Sequence, residues 1–266
     1  MARILDFASG SRLLAAPHNR ETWSAVVAAA GRGTRLGFDK PKILFPVAGI
    51  TILERLIRLL EPLCSQIVFV LSPDGAPVVE PEIERALGAR GRIAIQPTPL
   101  GMADAVECGL SKVNTARSVV VWGDQFALKR SSLEFCMRVL DGAAPAGAVC
   151  PTLLRREPYI HLERDAAGRV LRVLQKREGD PMPPEGESDA GVFFFDTEAL
   201  RSNFHMLNSV PDSIGARTRE RTFLPILPLF DALPGHLITP RIMTEEESVG
   251  VNTREDALFL ESSGIV

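Results

Sequence analysis

A glycine-rich turn near the start of the chain carries the residues best suited to chemistry. An apolar run over residues 23–29 leads into Gly31 and Gly33, and two cations, Arg35 and Lys42, follow shortly afterwards. Glycine lets backbone N–H groups approach a ligand closely, because no Cβ stands in the way and a positive φ costs little. With two cations beside such a concavity, the turn predicts a cradle for a triphosphate.

Two familiar phosphate-binding motifs do not fit this turn. A Walker loop needs Gly-Lys followed by Ser or Thr, whereas Gly37 is followed by Phe38. A dinucleotide fingerprint needs a glycine where this chain has Leu36. The acid at the expected later distance, Glu54, belongs instead to a capping box that opens a helix after Thr51. The turn therefore indicates a third kind of nucleotide site.

The segment from Gly31 to Lys42 resembles the signature of the sugar-phosphate nucleotidylyltransferases, especially the uridylyltransferase that acts on N-acetylglucosamine 1-phosphate. The spacing from the first glycine to the lysine matches that family without a gap. The resemblance implies that the loop wraps a nucleoside triphosphate. It also implies that Arg35 neutralises the phosphates and that Lys42 meets the acceptor phosphate or the α-phosphate. The nucleotide-binding positions implied in this loop are Ala29, Ala30, Gly31, Gly33 and Thr34.

A second match begins at Gln96, at the end of a predicted strand, and continues with Leu100 and Gly101. In the resembled family a glutamine at this place reads a pyrimidine edge, and the Leu-Gly pair packs backbone against the base. An amide suits this role because it offers both a donor and an acceptor. The family usually has threonine next, where this chain has Met102. A polar residue at a strand end before a helix is also common in α/β proteins, so a purely structural role for Gln96 stays open.

Two further matches supply oxygen ligands for a metal ion. Asp124 follows a buried strand, at the edge where parallel sheets bind ligands. In the family this carboxylate coordinates Mg²⁺, and the asparagine of a late Gly-Val-Asn segment, here Asn252, is the second protein ligand. Few protein ligands suffice because Mg²⁺ usually keeps several waters. Two structural roles remain open: Asp124 as a turn cap, and Asn252 as the N-cap of the last helix.

The match weakens where the family binds its acceptor. Tyr159 lacks the glycine that follows it in the family, Gln175 replaces a glutamate, and Asp189 replaces an asparagine. Ile160 in place of the glycine adds bulk, and Asp189 in place of the asparagine adds charge and removes two donors, so the acceptor should differ from N-acetylglucosamine 1-phosphate. Lys176 and the neighbouring Arg177 are candidates to hold an anionic acceptor, or else they form a solvated hairpin edge.

The elements that must position these residues alternate along the first half of the chain. Short β-branched runs between helical patterns predict a mostly parallel sheet covered on both faces. Strands are predicted over residues 23–29, 67–71, 92–96, 118–122, 146–151, 159–163, 170–174 and 192–195, and helices over 79–87, 101–110, 131–140, 197–205 and after 253. Residues 178–188, rich in Pro, Glu and Gly, predict a mobile loop.

These patterns and the resemblance together predict a three-layer α/β/α, Rossmann-like nucleotidyltransferase fold. Its mixed sheet should be mostly parallel, with a smaller β subregion that binds the acceptor. We expect an N-terminal extension over residues 1–22 and a single domain over 23–266. Within that domain we expect a nucleotide-binding half over 23–145, an acceptor-binding half over 146–251 and a C-terminal helix over 252–266.

The composition fits a soluble cytoplasmic enzyme. The 266 residues carry a net charge of −3, which argues against a nucleic-acid partner. No apolar run is long enough for a membrane span, and no signal peptide is evident. The four cysteines lie far apart and suggest reduced, mostly buried thiols. No hexapeptide-repeat segment follows the last helix, so we expect a single activity. The oligomeric state stays open, with a dimer as one option.

The predicted reaction is Mg²⁺-dependent transfer of a nucleoside monophosphate from a triphosphate, with a pyrimidine favoured, to a sugar 1-phosphate or similar phosphorylated acceptor. Pyrophosphate is the other product. One alternative is a cytidylyltransferase acting on a phosphonate, a cyclitol phosphate or an amino-alcohol phosphate. Another has a molybdenum-pterin acceptor, although such enzymes tend to be shorter. The third is a nucleotide-binding regulator without turnover.

Overall fold

The protein is described as a computed structural model that covers residues 18–31, 33–233 and 236–264. The strands are β1 (Trp23–Ala28), β2 (Pro46–Val47), β3 (Ile50–Thr51), β4 (Gln66–Leu71), β5 (Gly91–Ile95), β6 (Arg117–Trp122), β7 (Ala148–Val149), β8 (Thr152–Arg156), β9 (Ile160–Arg164), β10 (Val170–Gln175), β11 (Glu185–Asp189), β12 (Val192–Asp196) and β13 (Leu237–Ile238). The α-helices are α1 (Ile52–Leu60), α2 (Ala76–Leu87), α3 (Met102–Leu110), α4 (Arg130–Gly142), α5 (Thr197–Leu207), α6 (Ile226–Asp231) and α7 (Arg254–Ser262).

Seven of these strands form the central sheet, in the order β13-β7-β12-β6-β1-β4-β5. β1 pairs in parallel with both β4 and β6, and β4 pairs in parallel with β5. β12 runs antiparallel to both of its neighbours, β6 and β7. The sheet is therefore mixed but mostly parallel, as the sequence predicts.

Helices cover both faces of this sheet because its central strands are apolar on both sides. Along β1, Ala25 and Val27 pack into one core, whereas Val26 and Ala28 pack into the other. The first core contains the buried faces of α1, α2, α4 and α7, and the second contains those of α3, α5 and α6. This is the three-layer α/β/α arrangement expected for strands that read as continuous hydrophobic runs.

Local signals at α1 act largely as predicted. The Thr51 hydroxyl accepts a hydrogen bond of 3.1 Å from the backbone N–H of Glu54, so Thr51 is the N-cap. The Glu54 carboxylate pairs with Arg58 instead of returning to the cap, so half of the predicted capping box forms.

The cysteines are unpaired, and burial raises the pKa of the Cys64 thiol, which keeps it unreactive.

The prediction of a mobile loop over residues 178–188 is wrong for its second half. β11 begins at Glu185 and pairs antiparallel with β8, a strand that the sequence patterns missed. Position 186 requires a glycine because the ring of His161 packs against it. A Cβ at Gly186 would lie 2.4 Å from His161 Nδ1. The glycine reflects tight packing, which local composition alone does not distinguish from a turn.

The N-terminal extension lies mostly outside the described residues, which begin at His18. The His18 ring nitrogen Nε2 contacts the Leu63 carbonyl at 2.7 Å, and the Ser65 backbone N–H donates to the Arg20 carbonyl. The last residues of the predicted extension therefore pack on the segment after α1. Among the helices that the structure describes, none has the length and apolar character needed to cross a bilayer.

Candidate active site

The side chain of Lys42 packs against the backbone of the glycine turn that follows β1. Gly33 has a φ of +64°, in the left-handed region that favours glycine. A Cβ at Gly33 would lie 2.7 Å from the Cβ of Lys42, which is too close for any other residue without movement. Gly33 therefore has two roles: it adopts the backbone conformation of the turn, and it leaves room for the Lys42 side chain to pass over the turn.

Asp124 reaches the same place from β6. The Gly123 backbone N–H donates to the Ala28 carbonyl at 2.9 Å, so the end of β6 lies directly beside the end of β1. A Cβ at Gly123 would lie 2.6 Å from that carbonyl oxygen. The glycine before Asp124 is therefore a packing requirement, and it brings the carboxylate next to the turn.

The third group, Asn252, comes from the segment before α7. Thr253 is the N-cap of that helix, with a capping box in which Asp256 accepts from the Thr253 backbone N–H at 2.8 Å. The alternative that Asn252 itself caps the helix is therefore wrong. Asp256 also accepts from the Asn252 backbone N–H at 2.8 Å, which fixes the asparagine and leaves its side chain free to point elsewhere.

Lys42, Asp124 and Asn252 meet directly. The Lys42 ammonium lies 2.9 Å from Asp124 Oδ2 and 2.8 Å from Asn252 Oδ1. Behind them, the Val251 N–H donates to the Asp124 carbonyl at 2.9 Å, and Gly250 passes so closely that a Cβ would lie 3.0 Å from Asp124 Cγ. Lys42 and two residues that lie 82 and 210 positions away from it thus form one polar cluster.

This cluster has the donors that a hard cation prefers. Asp124 Oδ1 is buried and accepts no hydrogen bond from any described residue. Carboxylate and amide oxygens bind Mg²⁺ well. An ion that keeps several waters and also binds phosphates needs few protein ligands. Within the described parts of the chain no group of three or more His, Cys, Asp or Glu side chains could hold a metal by itself. The residues therefore fit a cation shared with a phosphate ligand.

Arg35 stands free beside the cluster. It follows Thr34 in the short 3-10 helix Thr34–Leu36, is exposed, and forms no hydrogen bond or ion pair within the described residues. It lines the same cavity as Asp124 and Asn252. A guanidinium with all of its donors unused is suited to bind phosphate oxygens.

Gln96 is placed differently from the residues of the cluster. Its side chain is buried, and its amide nitrogen donates to the Gly101 carbonyl at 3.0 Å and to Asp104 Oδ2 at 2.9 Å. Gly101 has a φ of +119° and packs against the Arg221 backbone, while Leu100 is exposed. The donors of Gln96 thus hold the local loop, and its role in reading a base stays a prediction.

An open cavity of about 620 Å³ extends from the cluster toward the β subregion. Three predicted acceptor residues line it, namely Tyr159, Gln175 and Asp189. Lys176 does not line it, whereas the adjacent Arg177 does. Arg177 pairs with Glu220 at 2.7 Å, so its charge is already compensated within the cavity wall.

Asp189 faces a partly dehydrated environment. Burial raises the pKa of this carboxyl, and the nearby charge of Asp124 adds to the shift. The Gly191 backbone N–H donates to Asp189 Oδ1 at 2.8 Å and opposes the shift without cancelling it. The wall opposite the glycine turn therefore carries a carboxylate that a ligand donor would stabilise.

Several cavity residues have no counterpart in the sequence patterns. They include Gln125, Arg155, Arg221 and Phe223. Gln125 follows Asp124 directly and could have been found by asking what else leaves β6 at that edge. Arg155 lies on β8, the strand that the patterns missed, so no local signal pointed to it.

The comparison with known families agrees with this geometry. A model of the MobA-like NTP transferase domain matches residues 25–183, which is more than half of the chain. The chain therefore belongs to the family of MobA-like NTP transferase domains. This membership places it among the nucleotidyltransferases and confirms the resemblance to the sugar-phosphate nucleotidylyltransferases that the glycine turn indicated.

Curated relatives agree over part of their length. The bifunctional protein GlmU of Mycobacterium marinum is 30% identical over 242 residues, which are 87% of this chain and 48% of that protein. GlmU of Mycobacterium tuberculosis is 34% identical over 196 residues, 70% of this chain and 39% of that protein. The chain thus spans about half or less of the length of these relatives.

Solved structures confirm the fold. A Bacillus anthracis protein assigned as a glucose-1-phosphate thymidylyltransferase matches 91% of this chain and 95% of its own, with a TM-score of 0.67 and 15% identity. A 4-diphosphocytidyl-2C-methyl-D-erythritol synthase from Anaerococcus prevotii matches 92% of this chain and 99% of its own, with a TM-score of 0.62 and 14% identity. At these identities the likeness concerns the architecture.

Proposed function

We propose that the protein catalyses Mg²⁺-dependent transfer of a nucleoside monophosphate from a nucleoside triphosphate, a pyrimidine by preference, to a phosphorylated small molecule. The observation that carries the proposal is the meeting of Lys42, Asp124 and Asn252 beside Gly33. The cluster unites a cation and two hard oxygen ligands from three distant segments. A site for binding a nucleotide without turnover would not require all three.

Asp124 and Asn252 would hold the Mg²⁺ ion. When bound, the ion would neutralise charge on the phosphates of the triphosphate and of its pyrophosphate product. The unpartnered Asp124 Oδ1 supports this assignment, because a buried carboxylate oxygen without a hydrogen bond is costly unless a ligand satisfies it.

The other residues position the two substrates. Backbone donors around Gly31 and Gly33 hold the triphosphate, and the unpaired Arg35 neutralises the departing phosphates. Lys42 brings the anionic acceptor phosphate toward the α-phosphorus. An oxygen of that phosphate forms the new bond to the α-phosphorus, the bond from the α-phosphorus to the β-bridging oxygen breaks, and pyrophosphate leaves. No general base is required, because a phosphate monoester is largely ionised near neutral pH.

The acceptor lies against the wall that contains Tyr159, Gln175 and Asp189. A sugar 1-phosphate or a related phosphorylated compound fits a cavity of this polarity and of about 620 Å³. Relatives such as GlmU support a sugar phosphate, although the residues on this wall differ from the pattern of the resembled uridylyltransferase. We propose that the acceptor differs accordingly.

The decisive test replaces Asp124. Asp124→Ala is expected to abolish Mg²⁺-dependent release of pyrophosphate from a mixture of nucleoside triphosphate and sugar phosphates, while circular dichroism shows an intact fold. Asp39→Ala is the matched control, because Asp39 is exposed on the same loop and has no partner among the described residues. Turnover by Asp124→Ala at the wild-type level would disprove the metal assignment. Nucleotide binding by the wild type without release of pyrophosphate, whatever the acceptor, would instead favour a regulatory role.

A further inference from the structure

Unused hydrogen-bonding capacity is concentrated in one cavity. Five buried side-chain nitrogen or oxygen atoms lack a partner within the described residues, and three of them belong to residues that line the 620 Å³ cavity. These three are Asp124 Oδ1, Gln125 Oε1 and Arg155 Nε. Native proteins leave few buried polar atoms unsatisfied, so a group of them on one wall indicates a site whose ligand supplies the missing bonds.

Gln125 is the most unusual of the three. The residue is 5% exposed, yet its amide oxygen Oε1 accepts no hydrogen bond from a described residue. Gly191, at a φ of +69°, makes room for this amide, since a Cβ there would lie 2.3 Å from Gln125 Nε2. The backbone is thus shaped to accommodate a buried amide whose oxygen no described residue satisfies.

Arg155 supplies a complementary donor. Its Nη2 donates to the Ser248 hydroxyl at 2.6 Å, which fixes the guanidinium at the cavity wall. The nearest carboxylate is that of Glu245, and its oxygen lies 4.0 Å from Arg155 Nε, beyond hydrogen-bonding distance. The buried Nε–H therefore has no acceptor within the described residues.

The carboxylates of the cavity, by contrast, each have at least one protein partner. Asp124 contacts Lys42, Glu178 accepts from Thr218, Asp189 accepts from Gly191, Glu220 pairs with Arg177, and Asp256 accepts from Thr253. The cavity therefore offers a spare amide and a spare guanidinium donor to an incoming molecule. Asp124 Oδ1 is left for the proposed cation, and the other carboxylates of the cavity are engaged by protein donors.

We propose that Gln125 and Arg155 select the acceptor, and that the acceptor is a polyhydroxylated phosphate such as a sugar or cyclitol phosphate. Gln125 Oε1 accepts a hydrogen bond from one hydroxyl group of the acceptor, and Arg155 Nε donates to an oxygen of the same molecule. This inference rests on the proposed nucleotidyl transfer and specifies its second substrate. An amino-alcohol phosphate lacks this set of hydroxyl groups.

The test separates acceptor recognition from folding and from nucleotide binding. Gln125→Leu is assayed for pyrophosphate release with each of the four common ribonucleoside triphosphates and Mg²⁺, against glucose 1-phosphate, N-acetylglucosamine 1-phosphate, inositol 1-phosphate, ethanolamine phosphate and choline phosphate. Gln66→Leu is the matched control, because Gln66 donates to the Lys112 carbonyl at 3.1 Å and does not line the cavity. Arg155→Lys, which keeps the charge but removes the fixed Nε–H, is the second variant.

We expect the wild type to use a sugar or cyclitol phosphate. For that acceptor, Gln125→Leu should raise KM at least tenfold, while KM for the nucleotide changes less than twofold. The Tm of Gln125→Leu should be equal to or above that of the wild type, because the substitution removes an unsatisfied buried amide at similar volume. Arg155→Lys should raise the same acceptor KM. Gln66→Leu should leave both KM values unchanged.

Three results would overturn the inference. These are preference of the wild type for ethanolamine or choline phosphate, an unchanged acceptor KM in Gln125→Leu, and a lowered Tm that accounts for the whole loss of activity. Failure of the proposed function looks different, because the wild type would then release no pyrophosphate with any acceptor, whether or not its Tm rises with nucleotide and Mg²⁺.

Discussion

At the residue scale, the behaviour of Lys42 follows from the two oxygens that it bridges. Its ammonium lies 2.9 Å from Asp124 Oδ2 and 2.8 Å from Asn252 Oδ1, and Gly33 allows its stem to cross the turn. A cation held between the two proposed metal ligands keeps them together before substrates arrive. In the proposed reaction the lysine must leave this position to meet the acceptor phosphate.

Removal of Lys42 should therefore damage catalysis more than folding. Lys42→Ala is expected to lower kcat/KM for the acceptor more than tenfold, or about 1.4 kcal/mol of transition-state stabilisation. Lys40→Ala is the control, since Lys40 is exposed on the same loop and contacts no described residue by hydrogen bond or ion pair. Steady-state kinetics measures both variants. A loss below tenfold would show that Lys42 merely organises the surface.

Asp189 makes a prediction about pH. Burial raises the pKa of this carboxyl above its ordinary value of 3.8. Between 3.8 and the raised value the folded protein binds more protons than the unfolded chain, so acidification through that window favours folding. Ionisation of Asp189 therefore destabilises the folded protein. This destabilisation is present in full above the raised pKa and disappears below the ordinary value.

Asp189→Asn removes this penalty while it keeps an oxygen for the Gly191 N–H. The variant is expected to have a higher Tm than the wild type at neutral pH, and the difference should shrink as the pH falls toward the ordinary range of aspartate. Scanning calorimetry over a pH series measures the effect, with the exposed Asp39→Asn as control. A difference in Tm that is constant with pH would contradict the assignment.

At the element scale, the acceptor-side strands depend on a buried ion pair. Arg164 of β9 donates to Glu187 of β11 at 2.7 and 2.9 Å, and Thr152 of β8 donates to the same carboxylate at 2.8 Å. Burial alone would raise the pKa of Glu187, but the hydrogen bonds from Arg164 and Thr152 outweigh it and the pKa is lowered. The three strands that build this wall therefore meet at one carboxylate.

Glu187→Gln should destabilise the protein strongly, because it leaves the Arg164 charge buried without its partner. Breaking a buried pair in this way costs ~3–5 kcal/mol of the free energy of unfolding. Glu185→Gln, at an exposed position on the same strand, should change little. Urea denaturation compares the two variants. The stabilisation by Glu187 is present above its ordinary pKa of 4.5 and is lost as the pH falls through the lowered value, so the two variants should converge in acid.

At the scale of the whole molecule, the sheet explains why distant motifs meet. β1 and β6 are parallel neighbours, so the turn after Ala28 and the aspartate after Trp122 leave the sheet at the same edge. The segment before α7 returns to that edge and pairs with the residue after Asp124, through the Gln125–Gly250 bridge. The second half of the chain then forms the opposite wall of the cavity.

The sequence by itself determined the nucleotide side of the protein. Periodicity predicted β1, β4 and β6, because buried parallel strands leave strong local patterns. The resemblance of the motifs to a known family then indicated Lys42 after β1, Asp124 after β6 and Asn252 before the last helix. The small strands β8 and β11 left no such pattern. β11 alternates charged and small residues, and its pairing is fixed by Arg164 and Thr152, which lie far away in the sequence.

Only the tertiary structure decided which groups were left unsatisfied. The sequence shows a glutamine after Asp124 and two arginines within residues 152–156, but it does not show that Gln125 Oε1 and Arg155 Nε are buried without partners at one cavity. Hydrogen-bond satisfaction depends on every neighbour that folding brings within about 3 Å, and those neighbours come from separate segments. For the same reason, Asn252 as an N-cap was a sound local prediction that Thr253 and Asp256 overturned.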